Sequence, residues 1–147
     1  MERKHFIMKW PELGKQVEVG PIEQNQGIYD WFLTNLPTKC LQLTTVVASQ
    51  SLFMLNVPTT KECNWIQEES PVEDITTMNI GRFTFFMTTG NVANISVKFG
   101  YVSEPMKYVT WCEVIDRDKP ILEEVGFEIL DSIFVDKKIV HVEFVEE

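Results

Sequence analysis

The run Gly81–Tyr101, GRFTFFMTTGNVANISVKFGY, constrains the fold more than any other part of the chain. Apolar and polar residues alternate through Arg82–Met87 and again through Asn94–Phe99. That is the two-residue period of strands with one face buried. Between them lies Thr88-Thr89-Gly90-Asn91, a turn-forming tetrad with a glycine suited to positive φ. The spacing predicts a central β-hairpin. Phe83, Phe85 and Met87 fall on its core face, and Arg82, Thr84 and Phe86 on the opposite one. The return run puts Ile95, Val97 and Phe99 on one side. A chain built around such a hairpin forms a sheet that needs a partner layer or closure on itself.

The remainder of the chain supplies matching elements. His5–Trp10 and Gln16–Val19 read as an opening hairpin around Pro11 and Gly14. Ile28, Phe32 and Leu36 recur at helical spacing, widened by Tyr29 and Leu33, and predict a helix over Gln26–Leu36 with Asn25 as its N-cap and Pro37 as its stop. Cys40–Ser49 is rich in β-branched residues and reads as a strand, and after a break at Gln50-Ser51 the chain resumes pairing over Leu52–Leu55. Asn56–Asn79 has no sustained period and is expected to be a long loop that includes Trp65. Tyr108–Ile115 is the next strand. A second helix follows Asp118, with Pro120 in its first turn, Leu122, Val125, Ile129 and Ile133 buried, and Glu123, Glu124 and Glu128 facing out. Lys138–Val145 closes the chain as a strand. About eight strands and two helices, without a βα rhythm, indicate one mainly-β domain over residues 1–147, an antiparallel sheet closed into a barrel with the helices at its ends.

Composition narrows function. The 147 residues carry a net charge of −9, and the clustered cations are confined to Arg3-Lys4 and Lys137-Lys138. Nucleic acid and anionic membrane surfaces both require a basic stripe that this chain lacks, so neither is an expected partner. No apolar run reaches the length of a membrane span and no signal-like segment opens the chain. Cys40, Cys63 and Cys112 are odd in number and share no CxxC spacing, which reads as free or buried thiols in a reducing compartment and a cytoplasmic setting. His5 and His141 stand far apart, without a ligand spacing around either, so no metal site is expected. Ser49 and Ser51 lie in no nucleophile elbow. The Thr88–Asn91 tip has two readings, turn chemistry or a nest of donors for a carboxylate or oxyanion. Arg82 likewise has two, a bidentate clamp on a ligand carboxylate or an ordinary surface ion pair.

Several segments, in order, resemble one family. They are MKWPELGKQVEV, YDWFLTNLPTKCLQ, VVASQSLFML, IGRFTF with TTGN, FGY followed by Glu104, and LEEVGFEILDSIFVDKKIVHVEF. Together they resemble bacterial cyclophilin-like proteins related to cucumopine and mikimopine synthases. The resemblance implies a cyclophilin-like closed β-barrel with two helices and no metal or organic cofactor. It also implies a Pictet–Spengler-type condensation of an amino acid such as histidine with a 2-oxo acid at the barrel mouth. In that reading Arg82, Lys98, Thr88, Thr89, Gly90 and Asn91 hold substrate carboxylates, with Gln42 and Thr44 beside them, and Glu104 or Tyr101 moves protons. The family pattern carries a histidine after the glutamine that follows the first helix, where this chain has Leu43 and Thr44 after Gln42. The strand after the first helix also lacks the arginine with which true cyclophilins isomerise prolyl bonds. A second class of function therefore stands beside the first: a non-catalytic cyclophilin-like module that binds a small ligand or a protein, alone or as a homo-oligomer.

Overall fold

The structure, a computed structural model, describes residues 3–45, 49–61, 71–87 and 92–147. Ten strands and two helices are found among them. β1 (Phe6–Trp10), β2 (Lys15–Pro21), α1 (Gln26–Leu33), β3 (Thr38–Leu41), β4 (Leu43–Thr44), β5 (Ser49–Pro58) and β6 (Val72–Asp74) come first. β7 (Arg82–Met87), β8 (Val92–Val102), β9 (Lys107–Val114), α2 (Lys119–Phe134) and β10 (His141–Glu146) complete the chain. All strand pairs are antiparallel, in the order β3-β10-β1-β2-β9-β7-β8-β5-β4, with β6 added along β9. The sheet curls until β3 approaches β5, and Thr38 Oγ1 donates across that seam to the Pro58 carbonyl at 2.7 Å. The result is the expected mainly-β architecture, a nearly closed barrel with two helices.

The central hairpin forms as its alternation requires. Phe83 pairs with Val97 and Phe85 with Ile95, and all four are buried in the core. Phe6, Phe32, Phe83 and Phe144 gather around Trp111 and one another with ring centroids 4.9–6.5 Å apart. These are offset and edge-to-face contacts, the geometry that ring quadrupoles favour. α1 contributes Ile28, Tyr29, Trp31 and Phe32 to this core, and α2 contributes Leu122, Val125 and Ile129.

Several expectations change in contact with tertiary structure, and the break expected at Gln50-Ser51 lies inside β5. The strand expected over Cys40–Ser49 is two short strands, because the chain changes partners at Gln42. β3 pairs with β10 and β4 with β5, while the Gln42 N–H bonds to the Val140 carbonyl at 2.9 Å. Asn25 occupies the N-cap position without capping. Its φ is +56°, and its Nδ2 instead donates to the carbonyls of Pro71 (2.9 Å) and Thr110 (2.7 Å). α1 ends at Leu33, three residues early, where Thr34 Oγ1 and Asn35 Nδ2 both turn back to the Trp31 carbonyl. The loop expected over Asn56–Asn79 contains the end of β5 and the whole of β6. Trp65 and Cys63 lie outside the described residues. No described helix is long and apolar enough to cross a membrane.

The contact of α2 with the barrel depends on the absence of a side chain. A Cβ at Gly126 would stand 2.2 Å from Phe99 Cδ2, and Phe99 is itself buried and packed edge-on to Phe127. Gly126→Ala is expected to destabilise the protein by about 1–3 kcal/mol through overpacking, despite alanine's better helix propensity. A urea titration checks this, and a rise in midpoint would refute it.

Asp118 ties the start of α2 to β2. Its carboxylate accepts from Arg117 Nε at 3.0 Å and from the Glu18 N–H at 2.8 Å, and these bonds, Arg117's foremost, hold it below the ordinary value of 3.8. The folded state therefore binds this proton less readily than the unfolded state. The contribution is complete above the ordinary value and is lost as pH falls through the lower folded one. Melting temperatures measured from pH 6 to pH 2 are expected to fall less steeply in Asp118→Asn than in the native chain. An unchanged slope would remove Asp118 from the acid limb.

Candidate functional site

A sheet face turned away from a barrel's core normally meets water. Here a row of polar residues on that face is buried. Thr110 of β9, Thr84 of β7 and Ser96 of β8 lie side by side in register, and Ser96 is opposite Phe53 of β5. Lys98 and Ser51 form the next row. Thr84, Ser96, Lys98, Ser51 and Thr110 are all buried. Their cover includes the segment 75–81, whose Ile75 N–H bonds to the Met106 carbonyl at 2.9 Å.

A cavity of about 140 Å³ opens between this wall and its cover. Thr45, Ser49, Ser51 and Ser96 give it a hydroxyl side, Phe53, Ile75, Met78 and Met106 an apolar side, and Glu104 and Tyr108 stand at its edge. The hydroxyls are ordered by the protein. Ser49 Oγ donates to Ser51 Oγ at 3.0 Å, Thr45 Oγ1 donates to the Ser49 carbonyl at 2.6 Å, and Ser96 and Thr84 share a short bond between hydroxyls. Tyr108 stacks on Phe86 with centroids 5.4 Å apart. Glu104 is exposed and has no hydrogen-bond or ion-pair partner among the described residues. It is the one ionisable carboxylate among the described lining residues.

The other residues singled out from sequence are placed as follows. Arg82 donates through Nη1 to both oxygens of Glu73 (3.0 and 2.8 Å) and through Nε to Glu113 (2.8 Å). Glu73 also accepts from Gln24 Nε2 at 2.9 Å and from the Thr110 hydroxyl, and Glu113 from Lys119 Nζ at 2.7 Å. The two carboxylates keep the guanidinium above its ordinary value although burial acts against them. The ammonium of Lys98 donates to the carbonyls of Ile75 (2.9 Å), Thr76 (3.3 Å) and Met78 (2.9 Å). Gln42 is fully buried; its Oε1 accepts from Trp10 Nε1 at 2.8 Å and its Nε2 donates to the carbonyls of Leu43 and Phe53. Thr44 Oγ1 donates to the Ser51 carbonyl at 3.2 Å, one residue from the lining Thr45. Tyr101 is 74% exposed and does not line the cavity. Thr88, Thr89, Gly90 and Asn91 lie outside the described residues.

Burial raises the thiols of Cys40, to about 12, and Cys112, well above its ordinary value, so both are poor nucleophiles at neutral pH. A second cluster of ionisable groups, His5, Glu18 and Glu147, brings ligand-type atoms within 4.8 Å of one another beside β2. Arg117 Nη2 stands 3.4 Å from Glu18 there and already supplies positive charge.

The chain is similar in fold to McbB. The McbB structure, a complex with tryptophan, superposes on this chain with a TM-score of 0.82 over 97% of its length, at 19% identity. The match covers 44% of the McbB chain, so this sequence spans less than half the length of that protein. The architecture is accordingly cyclophilin-like, as the sequence resemblance implied. No family model matches the sequence, and no curated protein matches it.

Proposed function

We propose that the protein binds an amino acid with a single-ring side chain in the cavity on the outer barrel wall and condenses it with a 2-oxo acid, in the manner of the opine synthases it resembles. The observation that carries this reading is a carboxylate, Glu104, that has no partner among the described residues and lines a cavity with an ordered hydroxyl wall and an apolar side. A barrel of the same fold, McbB, has been solved with an amino acid, tryptophan. Size supports the narrower class. A cavity of about 150 Å³ holds one benzene ring, so the 140 Å³ here suits an imidazole or phenyl ring better than an indole.

The chemistry needs a donor wall and one base. The substrate amine attacks the ketone carbon, water leaves, and an imine forms. The imidazole carbon then attacks the imine carbon, and its ring proton must be removed to restore aromaticity. In this reading Glu104 takes that proton, and Tyr108 replaces Tyr101 as the phenol beside the reacting atoms. Ser49, Ser51 and Thr45 orient a substrate carboxylate. Arg82, Lys98 and Gln42 take no direct part, because each is already engaged by the protein's own groups.

The same engagement favours a second reading. With Arg82 and Lys98 committed, the described lining offers no cation for two ligand carboxylates, which suits binding without turnover. One experiment separates the two. Histidine, 2-oxoglutarate and tryptophan are screened singly by thermal shift, then histidine and 2-oxoglutarate are incubated together and analysed by mass spectrometry. A ligand at about 100 times its Kd adds about 2.7 kcal/mol, a rise of several degrees for a chain of this size. A shift with histidine and a product at the summed mass less one water supports the condensation. A shift without product supports the binding module, and no shift at millimolar ligand removes the site.

A further inference from the structure

Lys98 contacts the cover of the cavity through both its side chain and its backbone. Residues 74–78 form a single helical turn, in which the N–H groups of Thr77 and Met78 both bond to the Asp74 carbonyl, at 3.2 and 3.0 Å. One turn has almost no stability of its own, because nucleation fixes several residues for very few hydrogen bonds. Both of its ends are held here. At the start, Asp74 Oδ1 accepts from the Thr76 N–H at 2.9 Å and from its hydroxyl at 2.7 Å, and these bonds lower the Asp74 carboxyl below its ordinary value. At the finish, the Lys98 ammonium reaches the carbonyls of Ile75, Thr76 and Met78, where a positive charge complements the partial negative charge of unpaired carbonyls. The Gly81 N–H then returns to the Lys98 carbonyl at 2.7 Å, at a φ of +92° that a glycine adopts without strain.

The ammonium that makes these bonds is buried, with Lys98 only 6% exposed. A charge held away from water requires dedicated partners, and its three hydrogen-bond partners among the described residues are all on the turn. Ile75 and Met78, which carry two of the carbonyls that it binds, both line the cavity, as does Ser96, two residues before Lys98 on the same face. Backbone bonds hold the segment at Ile75 and Gly81, and between them the Lys98 side chain ties the turn to the wall.

We propose that Lys98 is a positioning residue: by clamping the 74–78 turn it fixes how close Ile75 and Met78 stand to the hydroxyl wall, and so restricts the cavity to single-ring ligands. This inference rests on the reading of the cavity as an amino-acid site. Lys98 touches no ligand in it. A lysine serves the role better than an arginine, because three carbonyls converging on a point match an ammonium and not a planar fork.

The test uses Lys98→Met, with Asp74→Ala as a second variant that loosens the other end of the same turn without leaving buried carbonyls unpaired if Lys98→Met fails to fold. Amide exchange and ligand affinity are measured on each. Expected is exchange at Thr77 and Met78 faster by about 100-fold while the amides of β7 and β8 stay protected, together with at least a tenfold fall in the preference for histidine over tryptophan. Faster exchange with the preference unchanged overturns the proposal, as does unchanged exchange in the variants. Native protein that binds neither histidine nor tryptophan removes the site itself, and this inference with it. Native protein that discriminates while the variants discriminate equally removes only the role of Lys98. Met78→Ala, which enlarges the cavity and leaves the clamp intact, is expected to admit tryptophan without changing exchange in the turn. Failure to do so would also count against the proposal.

Discussion

Glu104→Gln is expected to lower the rate of histidine–2-oxoglutarate condensation by about 100- to 10,000-fold, the usual contribution of a positioned general base. The melting temperature should stay within a degree or two of the native value, since Glu104 is exposed and has no partner among the described residues to lose. Glutamine keeps the shape and one hydrogen-bonding oxygen while removing the proton acceptor. Ligand-induced thermal shift should therefore survive where product formation does not. The measurement is product mass per unit time, alongside the shift. A rate within threefold of native would exclude Glu104 as the base. A lost thermal shift would instead make it a binding residue.

Arg82→Ala is expected to lower stability by about 3 kcal/mol, the scale for breaking an ion pair largely shielded from water, and the melting temperature by roughly 10 °C. The guanidinium stands between Glu73 and Glu113 and joins β6 to β7 and β9. Removing it leaves two carboxylates near each other, of which Glu113 keeps Lys119 while Glu73 keeps, among the described residues, the neutral donors Gln24 and Thr110. Most of the loss should therefore trace to Glu73. The double variant Arg82→Ala, Glu73→Gln is expected to regain a good part of it, a coupling that a thermodynamic cycle measures directly. Lysine at the position should restore less than half, since a point charge cannot serve both carboxylates bidentately. A clamp on a ligand carboxylate would behave differently, losing affinity at constant melting temperature.

These two residues show what was legible before the fold. Glu104 emerged from the sequence through its place after FGY, and it stands beside the cavity. Arg82 was identified as a carboxylate binder, and carboxylates do surround it, but they belong to the protein. Their positions, 9 and 31 residues away, carry no spacing that marks them as partners. Tyr101 and Tyr108 flank the same connection; alternation cannot decide between them, because the register of β7 against β9 shifts at Phe83/Thr84. Ser96 was readable as the polar side of its strand, but not as buried, because its cover comes from a segment distant in the chain; Ser51, expected at a break in the pairing, lies inside β5.

Patterns that repeat within a few residues were settled by the sequence itself: the two-residue alternation of β7 and β8, the apolar stripes of α1 and α2, and the opening hairpin around Pro11 and Gly14. Each depends on local backbone geometry and on which side chains leave water. Tertiary structure alone decided the rest. It split one expected strand at Gln42, drew Asn25 away from its cap, and placed β6 within an apparent loop. It also directed the Lys98 ammonium to three backbone carbonyls 20–23 residues earlier. Every residue carries a carbonyl, so no amino-acid pattern can announce which ones a buried charge will find. Only the closing of the barrel brings them within reach.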